Sequence, residues 1–180
     1  MLCLFSSSRG FPYPALSEIY RQSLQEAGAA QYPEEENTIQ QALAWEDISS
    51  YIRLDFFPQE ESLYALWQEE GRYVSAARIE PYRDGWLLSG LETAPDLRGK
   101  GYASALLSSL LESLKEQGVQ RVYSHVRKEN RPSLAVHKRV GFVIFKDSAV
   151  YLDGSADSCS YTLLKILAKK EKMLDIWPFP

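Results

Sequence analysis

Two glycines and two cations lie close together in residues 98–104, which read Arg-Gly-Lys-Gly-Tyr-Ala-Ser. This segment follows a predicted strand over residues 86–93 and precedes a strongly amphipathic helical pattern. The N-terminus of a helix offers backbone N–H groups without intrahelical partners, together with the positive end of the helix dipole. Because glycine has no Cβ, the backbone can approach a ligand closely there. The segment therefore predicts a site for a phosphate or pyrophosphate group.

The helix that follows is the clearest element in the chain. Six apolar residues recur at the spacing of one buried helical face: Ala103, Leu106, Leu107, Leu110, Leu111 and Leu114. Gly118 is a suitable residue to end this helix.

Alternating or continuous apolar residues between turn signals predict further strands. These are residues 2–5, 62–68, 72–79, 86–93, 119–127, 142–145 and 161–167. Helical spacing predicts three more helices, at residues 15–29, 38–54 and 132–140. In the second of these, the expected apolar stripe is Ile39, Leu43, Ile48 and Ile52.

The spacing Arg98-x-x-Gly101-x-Ala103 is similar to the signature that binds the coenzyme A pyrophosphate in the GNAT superfamily of N-acetyltransferases. A second segment runs from Asn130 to Phe142. It resembles the family's Asn-x-x-Ala-x-x-x-Tyr-x-x-x-Gly-Phe pattern, with Ser133 in place of Ala and His137 in place of Tyr. The resemblance covers roughly residues 62–167.

The resemblance implies the GNAT fold, of class α/β (α+β): a mixed, mostly antiparallel sheet of six to seven strands, flanked by about four helices. The central strands, here residues 86–93 and 119–127, splay apart in that family, and the pantetheine arm of the coenzyme lies in the wedge. We expect one domain over residues 1–180. The N-terminal strand and two helices within 1–61 would shape the acceptor site, and 168–180 would be a tail.

The resemblance also implies acetyl-CoA as acyl donor and no metal. The backbone of Leu91, Glu92 and Thr93 would hold the pantetheine amides, and one N–H would polarise the acetyl carbonyl. The pyrophosphate would be cradled by Arg98, Gly99, Lys100, Gly101, Tyr102, Ala103 and Ser104. Asn130 matches a position that commonly contacts the cofactor, and it is equally suited to cap the following helix.

Three residues are candidates for proton transfer. His137 stands where the family usually has the Tyr that protonates the departing thiolate, a role that an imidazolium can also fill. His125 stands where some relatives, such as acetyltransferases of protein N-termini, have a carboxylate base. Glu92 is a rival base. Each has a structural alternative: His137 as a half-buried packing residue, His125 as a surface strand residue, and Glu92 as a strand residue of uncertain facing.

Charge is distributed unevenly. Residues 1–97 carry 6 Lys and Arg against 16 Asp and Glu, whereas residues 98–180 carry 14 against 8. A basic half suits an anionic cofactor and an acidic half suits a cationic amine acceptor, although both could be solvated faces. No basic-aromatic pattern indicates nucleic-acid binding, and no apolar run is long enough to span a membrane. With no leader pattern and only Cys3 and Cys159, we expect a cytoplasmic protein, either a monomer or a homodimer.

The leading interpretation is an N-acetyltransferase that moves an acetyl group from acetyl-CoA to a small-molecule or peptide primary amine by direct attack in a ternary complex. An alternative is a non-catalytic acyl-CoA-binding sensor, or a module of the same fold that docks a partner. A dinucleotide fingerprint at Gly99-x-Gly101-x-x-Ser104 is disfavoured, because its third glycine is absent.

Overall fold

The computed structural model describes residues 1–167; the predicted tail, 168–180, lies outside the described residues. The strands are β1 (Leu2–Phe5), β2 (Leu63–Glu69), β3 (Arg72–Tyr82), β4 (Gly85–Thr93), β5 (Arg121–Arg127), β6 (Val143–Lys146), β7 (Ala149–Val150), β8 (Ala156–Asp157) and β9 (Ser160–Ile166). Seven of them form the main sheet, in the spatial order β1-β2-β3-β4-β5-β9-β6. The other two, β7 and β8, form a separate two-stranded hairpin.

The main sheet is mixed and mostly antiparallel, as predicted. Every neighbouring pair runs antiparallel except β4 and β5, which are parallel and lie at the centre of the sheet. Parallel neighbours need a long crossover connection, and α4 supplies it. Residues 1–167 contain no helix with the length and apolar character that crossing a bilayer requires.

Five helices flank the sheet within the described residues. They are α1 (Tyr13–Ile19), α2 (Arg21–Gln31), α3 (Asn37–Tyr51), α4 (Tyr102–Glu116) and α5 (Arg131–Arg139). The prediction of one continuous helix over residues 15–29 is wrong, because the chain bends at Tyr20 between α1 and α2. The Tyr20 side chain is 5% exposed and its hydroxyl donates to the Gly90 carbonyl. The break between α1 and α2 therefore comes from this tertiary contact, since neither a proline nor a glycine lies at it.

The second predicted helix is also altered at its end. α3 stops at Tyr51, and a π-helical turn follows at Ile52–Phe56. Ile39, expected on the buried stripe, is 44% exposed, and Gln40 faces the core instead. A Cβ on Gly28 of α2 would collide with the Gln40 carbonyl. Close contact between the α2 and α3 backbones thus decides which face of α3 is buried.

Both faces of the sheet are covered. On one face, α4 packs its leucines against β2, β3 and β4, and Leu106, Leu107, Leu110 and Leu114 are each 0% exposed, as the apolar pattern predicted. On the other face, α1, α2, α3 and the π-helical turn enclose an aromatic cluster.

The central strands splay apart, as the resemblance implied. β4 and β5 pair only at Trp86, Leu87 and Leu88, opposite residues 122–124, and they separate beyond that point. β4 also carries a bulge, because Gly90 and Leu91 lie between the residues paired with Ala76 and Arg78. The bulge and the splay together leave the end of β4 with an unpaired backbone edge that faces the wedge.

Candidate active site

A cavity of about 540 Å³ lies at this wedge. It brings together nearly all the residues predicted to bind the cofactor: Leu91, Glu92, Thr93, Arg98, Gly99, Gly101, Tyr102, Ala103, Ser104 and Asn130. Lys100 does not line it. Sequence reasoning missed the part of the wall formed by α2, at Gln22, Ser23 and Glu26. No motif marks these residues, because they lie in the N-terminal region where no pattern could be matched.

The loop that precedes α4 has backbone conformations that residues with a side chain rarely adopt. Gly99 has φ +76° and Gly101, which immediately precedes α4, has φ +86°. A Cβ at either position would meet no heavy atom within 4 Å, so both glycines border open space. No side chain caps the helix N-terminus, which leaves its N–H groups available.

A second observation, at Ser104, supports the fit of a diphosphate to this loop. The Ser104 hydroxyl is buried, lines the cavity and has no hydrogen-bond partner in the described structure. A buried hydroxyl normally has a partner, so an unpartnered one beside open helix N–H groups is suited to an oxyanion ligand. The donor set therefore matches the pyrophosphate of coenzyme A.

Arg98 connects the loop to β4 and to α2. Its Nε donates to the Thr93 carbonyl at 3.2 Å, its guanidinium pairs with Glu92 at 3.2 Å, and it also bonds Gln22. The Ser23 hydroxyl donates to the other Glu92 carboxylate oxygen at 2.6 Å. The Glu92 side chain is thus held by two donors at the mouth of the cavity, where α2, β4 and the loop meet.

Asn130 takes both of its expected positions. Its side-chain oxygen accepts from the Ser133 N–H at 3.1 Å, which caps α5, and the residue also lines the cavity. The two interpretations of Asn130 are therefore compatible.

The structure does not bring His137 into the cavity. Its side chain is 1% exposed and packs edge-on against Phe142, with ring centroids 5.1 Å apart. Nδ1 lies 2.8 Å from the Ser133 carbonyl, so Nδ1 carries the proton, and Nε2 is buried without a partner. Burial lowers the pKa of His137, which favours the neutral ring. This position agrees with the packing alternative for His137, although the residue is fully rather than half buried.

His125 lies at the wedge but outside the cavity lining. It is the first residue of β5 beyond the part paired with β4. Its ring contacts Tyr82 and Tyr151 at centroid distances of 5.6 and 5.2 Å, and both ring nitrogens are buried without partners. Burial lowers the pKa of His125, and the nearby charge of Arg83 lowers it further. His125 therefore has an unprotonated nitrogen at neutral pH, and Tyr151, beyond β7, covers it on one side.

A second cavity, about 430 Å³, adjoins the first and shares Ser23, Leu91 and Glu92 with it. The remaining wall comes from Tyr20, α2, α3 and the β4 bulge, and includes Asp47, Tyr51 and Gly90. Burial raises the pKa of Tyr20, and it also raises the pKa of Glu80 on β3. None of these residues was marked by a motif.

Comparison with known proteins decides the family. The family model described as "Acetyltransferase (GNAT) family" matches residues 15–142. The chain belongs to this family. The matched region contains the cavity, the glycine loop and the whole second motif, so the GNAT resemblance seen in the sequence is confirmed.

Curated relatives of this GNAT chain include mycothiol acetyltransferases. The protein from Thermobifida fusca is 26% identical over 121 residues, covering 62% of this chain and 38% of the relative. That from Corynebacterium aurimucosum is 26% identical over 112 residues, covering 56% of this chain and 36% of the relative. The chain thus spans less than two-fifths of the length of either relative.

Solved structures of low identity share the fold. The PaiA N-acetyltransferase from Thermoplasma acidophilum, solved with coenzyme A, has a TM-score of 0.66 and 15% identity, covering 92% of this chain and 99% of its own. The ribosomal-protein-S18-alanine N-acetyltransferase from Escherichia coli has a TM-score of 0.60 and 19% identity, covering 97% and 99%. At this identity the likeness establishes the GNAT fold alone.

Proposed function

We propose that this chain is an N-acetyltransferase that transfers an acetyl group from acetyl-CoA to a primary amine by direct attack in a ternary complex. The observation that carries the proposal is the cavity itself. It joins an unpaired strand edge, open helix N–H groups and an unpartnered buried hydroxyl in one continuous wall. Bound acetyl-CoA would supply the thioester carbonyl that the amine attacks.

The residues of the glycine loop bind the donor in this proposal. The backbone of Gly99 to Ser104 cradles the diphosphate, while Arg98 and Lys100 contribute positive charge. Leu91, Glu92 and Thr93 present backbone groups along the wedge, and one N–H there stabilises the oxyanion that develops during transfer. Asn130 contacts the donor while capping α5.

The amine must lose a proton before it attacks. His125 is the base that we propose, acting through water, because it is neutral at physiological pH and lies at the edge of the wedge. Glu92 is the weaker candidate, since its two carboxylate oxygens already bond to the Ser23 hydroxyl and the Arg98 guanidinium. No step is assigned to His137, whose buried ring holds its proton on Nδ1 towards a carbonyl.

The adjoining cavity would receive the amine. Its location against the β4 bulge places an acceptor beside the strand end that would hold the thioester. Its carboxylates, Asp47 and Glu92, suit an amine that arrives as an ammonium ion. A non-catalytic acyl-CoA sensor would need the first cavity but not the second.

Two measurements separate these functions. Calorimetric titration with coenzyme A tests the donor cavity, and thiol release from acetyl-CoA with a broad panel of primary amines tests transfer. Binding with amine-dependent thiol release supports the proposal. Binding without turnover on any amine would contradict it in favour of the sensor, and absence of binding would contradict both.

The base is tested by pH profiles. Loss of a general base lowers the rate by about 10²- to 10⁴-fold. We expect His125→Ala to lower kcat by that amount near neutral pH, whereas His137→Gln should keep the profile of the unaltered enzyme. An unchanged kcat in His125→Ala across the pH range would remove His125 from the mechanism.

A further inference from the structure

A partly buried cation lies next to the second cavity, behind Gly90, and takes no part in the mechanism above. Arg78, on β3, stacks its guanidinium on Tyr51 and Phe56, with its Cζ 5.2 and 5.9 Å from the two ring centroids. Its Nε is buried and has no hydrogen-bond partner. Among residues 1–167, no carboxylate lies within 4.0 Å of it, and Glu80, two residues along the same strand, acts on its charge only at longer range.

Such an arrangement is unfavourable unless something pairs with the cation. Removing a charge from water without a partner destabilises the folded state, and stacking on aromatic rings compensates only through the face of the guanidinium. The N–H donors at its edge remain unused. The nearby hydroxyls bond to other groups and not to the guanidinium, since Tyr20 donates to the Gly90 carbonyl and Tyr64 donates to Tyr20 at 3.1 Å.

The position of Arg78 relative to the β4 bulge indicates what could pair with it. A Cβ built on Gly90 would lie 2.9 Å from Arg78 Nε and 3.3 Å from one of its terminal nitrogens. Gly90 lines the acceptor cavity together with Tyr20 and Tyr51, which also surround the guanidinium. The guanidinium is therefore separated from the cavity by a residue that has no side chain.

We propose that Arg78 binds the carboxylate of an α-amino acid, and that such amino acids are the acceptor class of this site. A carboxylate matches the planar, two-pronged donor geometry of a guanidinium. Leu91, where the thioester would be held, directly follows Gly90, so amine and carboxylate must be only a few ångströms apart. In an α-amino acid both groups attach to the same carbon.

The charges around the cavity fit a zwitterion. Glu92 and Asp47 line the cavity, where an ammonium group would arrive, and Arg78 lies behind Gly90. The cationic acceptor expected from the acidic N-terminal half accounts for the two carboxylates alone. This inference rests on the proposed function, because it assigns the substrate of the same site.

The test compares acceptors that differ only in the carboxylate. Thiol release from acetyl-CoA is measured with L-amino acids and with the corresponding amino acid amides. Hydrogen bonds to a charged group are worth about 10- to 100-fold in binding. We expect the unaltered enzyme to favour the free acids in kcat/KM by at least about ten-fold. Arg78→Gln should remove this preference by slowing the acids and leaving the amides nearly unchanged.

Arg72→Gln is the matched control. It lies on the same strand, but its side chain is 48% exposed and pairs with Asp96 at 3.1 Å, and it lines neither cavity. It should keep the acid preference. Melting temperature and coenzyme A affinity report on folding; if Arg78→Gln does not fold, Arg78→Lys and the acid-to-amide ratio of the unaltered enzyme decide the question.

The outcomes are distinct. Equal or faster transfer to the amides, or an acid preference that survives in Arg78→Gln, overturns the role of Arg78 but leaves the acetyltransferase proposal standing. Transfer to peptide amides with none to free amino acids does the same. Failure of every amine to release thiol, with coenzyme A still bound, overturns the proposed function and this inference with it.

Discussion

The glycine that immediately precedes α4 provides a sharp test of the donor site. Gly101→Ala would place a methyl group on a residue with φ +86°, and Gly118→Ala would do the same at φ +87°, just beyond the other end of the same helix. Neither added Cβ would meet a heavy atom within 4 Å, so both variants carry the same backbone strain. A left-handed conformation destabilises a residue with a side chain by about 1–2 kcal/mol.

The two variants should therefore lose similar stability but differ in ligand binding. For a chain of this size, 1 kcal/mol lowers Tm by about 2–4 °C, so each variant should melt about 2–8 °C lower without ligand. Of these two glycines, Gly101 lines the cavity and Gly118 does not. A methyl group on Gly101 would block the approach of a diphosphate to the backbone. Losing one hydrogen bond to a charged group weakens affinity by about 10- to 150-fold.

The assay pairs differential scanning fluorimetry without ligand with calorimetric titration of coenzyme A. The expected pattern is equal melting temperatures and a weakened Kd in Gly101→Ala alone. If both variants bind coenzyme A as tightly as the unaltered protein, the loop does not cradle the diphosphate. If both variants bind coenzyme A equally weakly, the cause is a general loss of stability, and a direct contact between Gly101 and the diphosphate is contradicted.

Three further outcomes follow from burial and charge. Leu110→Ala should destabilise the fold by about 2–5 kcal/mol in urea denaturation, because Leu110 is 0% exposed, whereas Leu54→Ala, at 67% exposed, should change stability by less than about 0.5 kcal/mol. Burial lowers the pKa of His137 in the folded state. The neutral His137 ring therefore stabilises the fold fully above its unfolded pKa of about 6.5, and this stabilisation is lost as pH falls through the lower folded pKa. Urea unfolding between pH 7.5 and 5.5 should thus show a smaller loss of stability in His137→Gln than in the unaltered protein, and an identical loss would refute this assignment. Glu92→Gln should tighten coenzyme A binding by about 2- to 5-fold, the range of an exposed ion pair, because it removes the carboxylate that neutralises Arg98; weaker binding would show that Glu92 instead positions the loop.

The parts of the fold that follow from local pattern could be predicted from the sequence. The leucines of α4 repeat at helical spacing, and the structure buries them as that spacing requires. The glycine loop and Asn130 were found because the chemistry of a phosphate site constrains residue type and spacing together. The cavity accordingly contains nearly every residue predicted to bind the cofactor.

The parts that depend on contacts between distant segments could not be predicted. The bend at Tyr20 exists because its hydroxyl reaches Gly90, 70 residues further along the chain. Arg78 lies in a strand with alternating residues, where a charged side chain would be expected to face solvent, yet α3 and the π-helical turn cover it. His137 matched a motif by position, but the motif does not determine which way α5 turns it.

The short pairing of β4 with β5 leaves a strand edge inside the molecule. Exposed edges on the outside of a protein invite other chains to add strands and so promote aggregation. Here the unpaired groups of β4 face the wedge between β4 and β5, which α2, α4 and α5 enclose, rather than the outside of the protein. The chain can therefore keep a row of free hydrogen-bonding groups ready for a slender ligand without exposing them to neighbouring proteins.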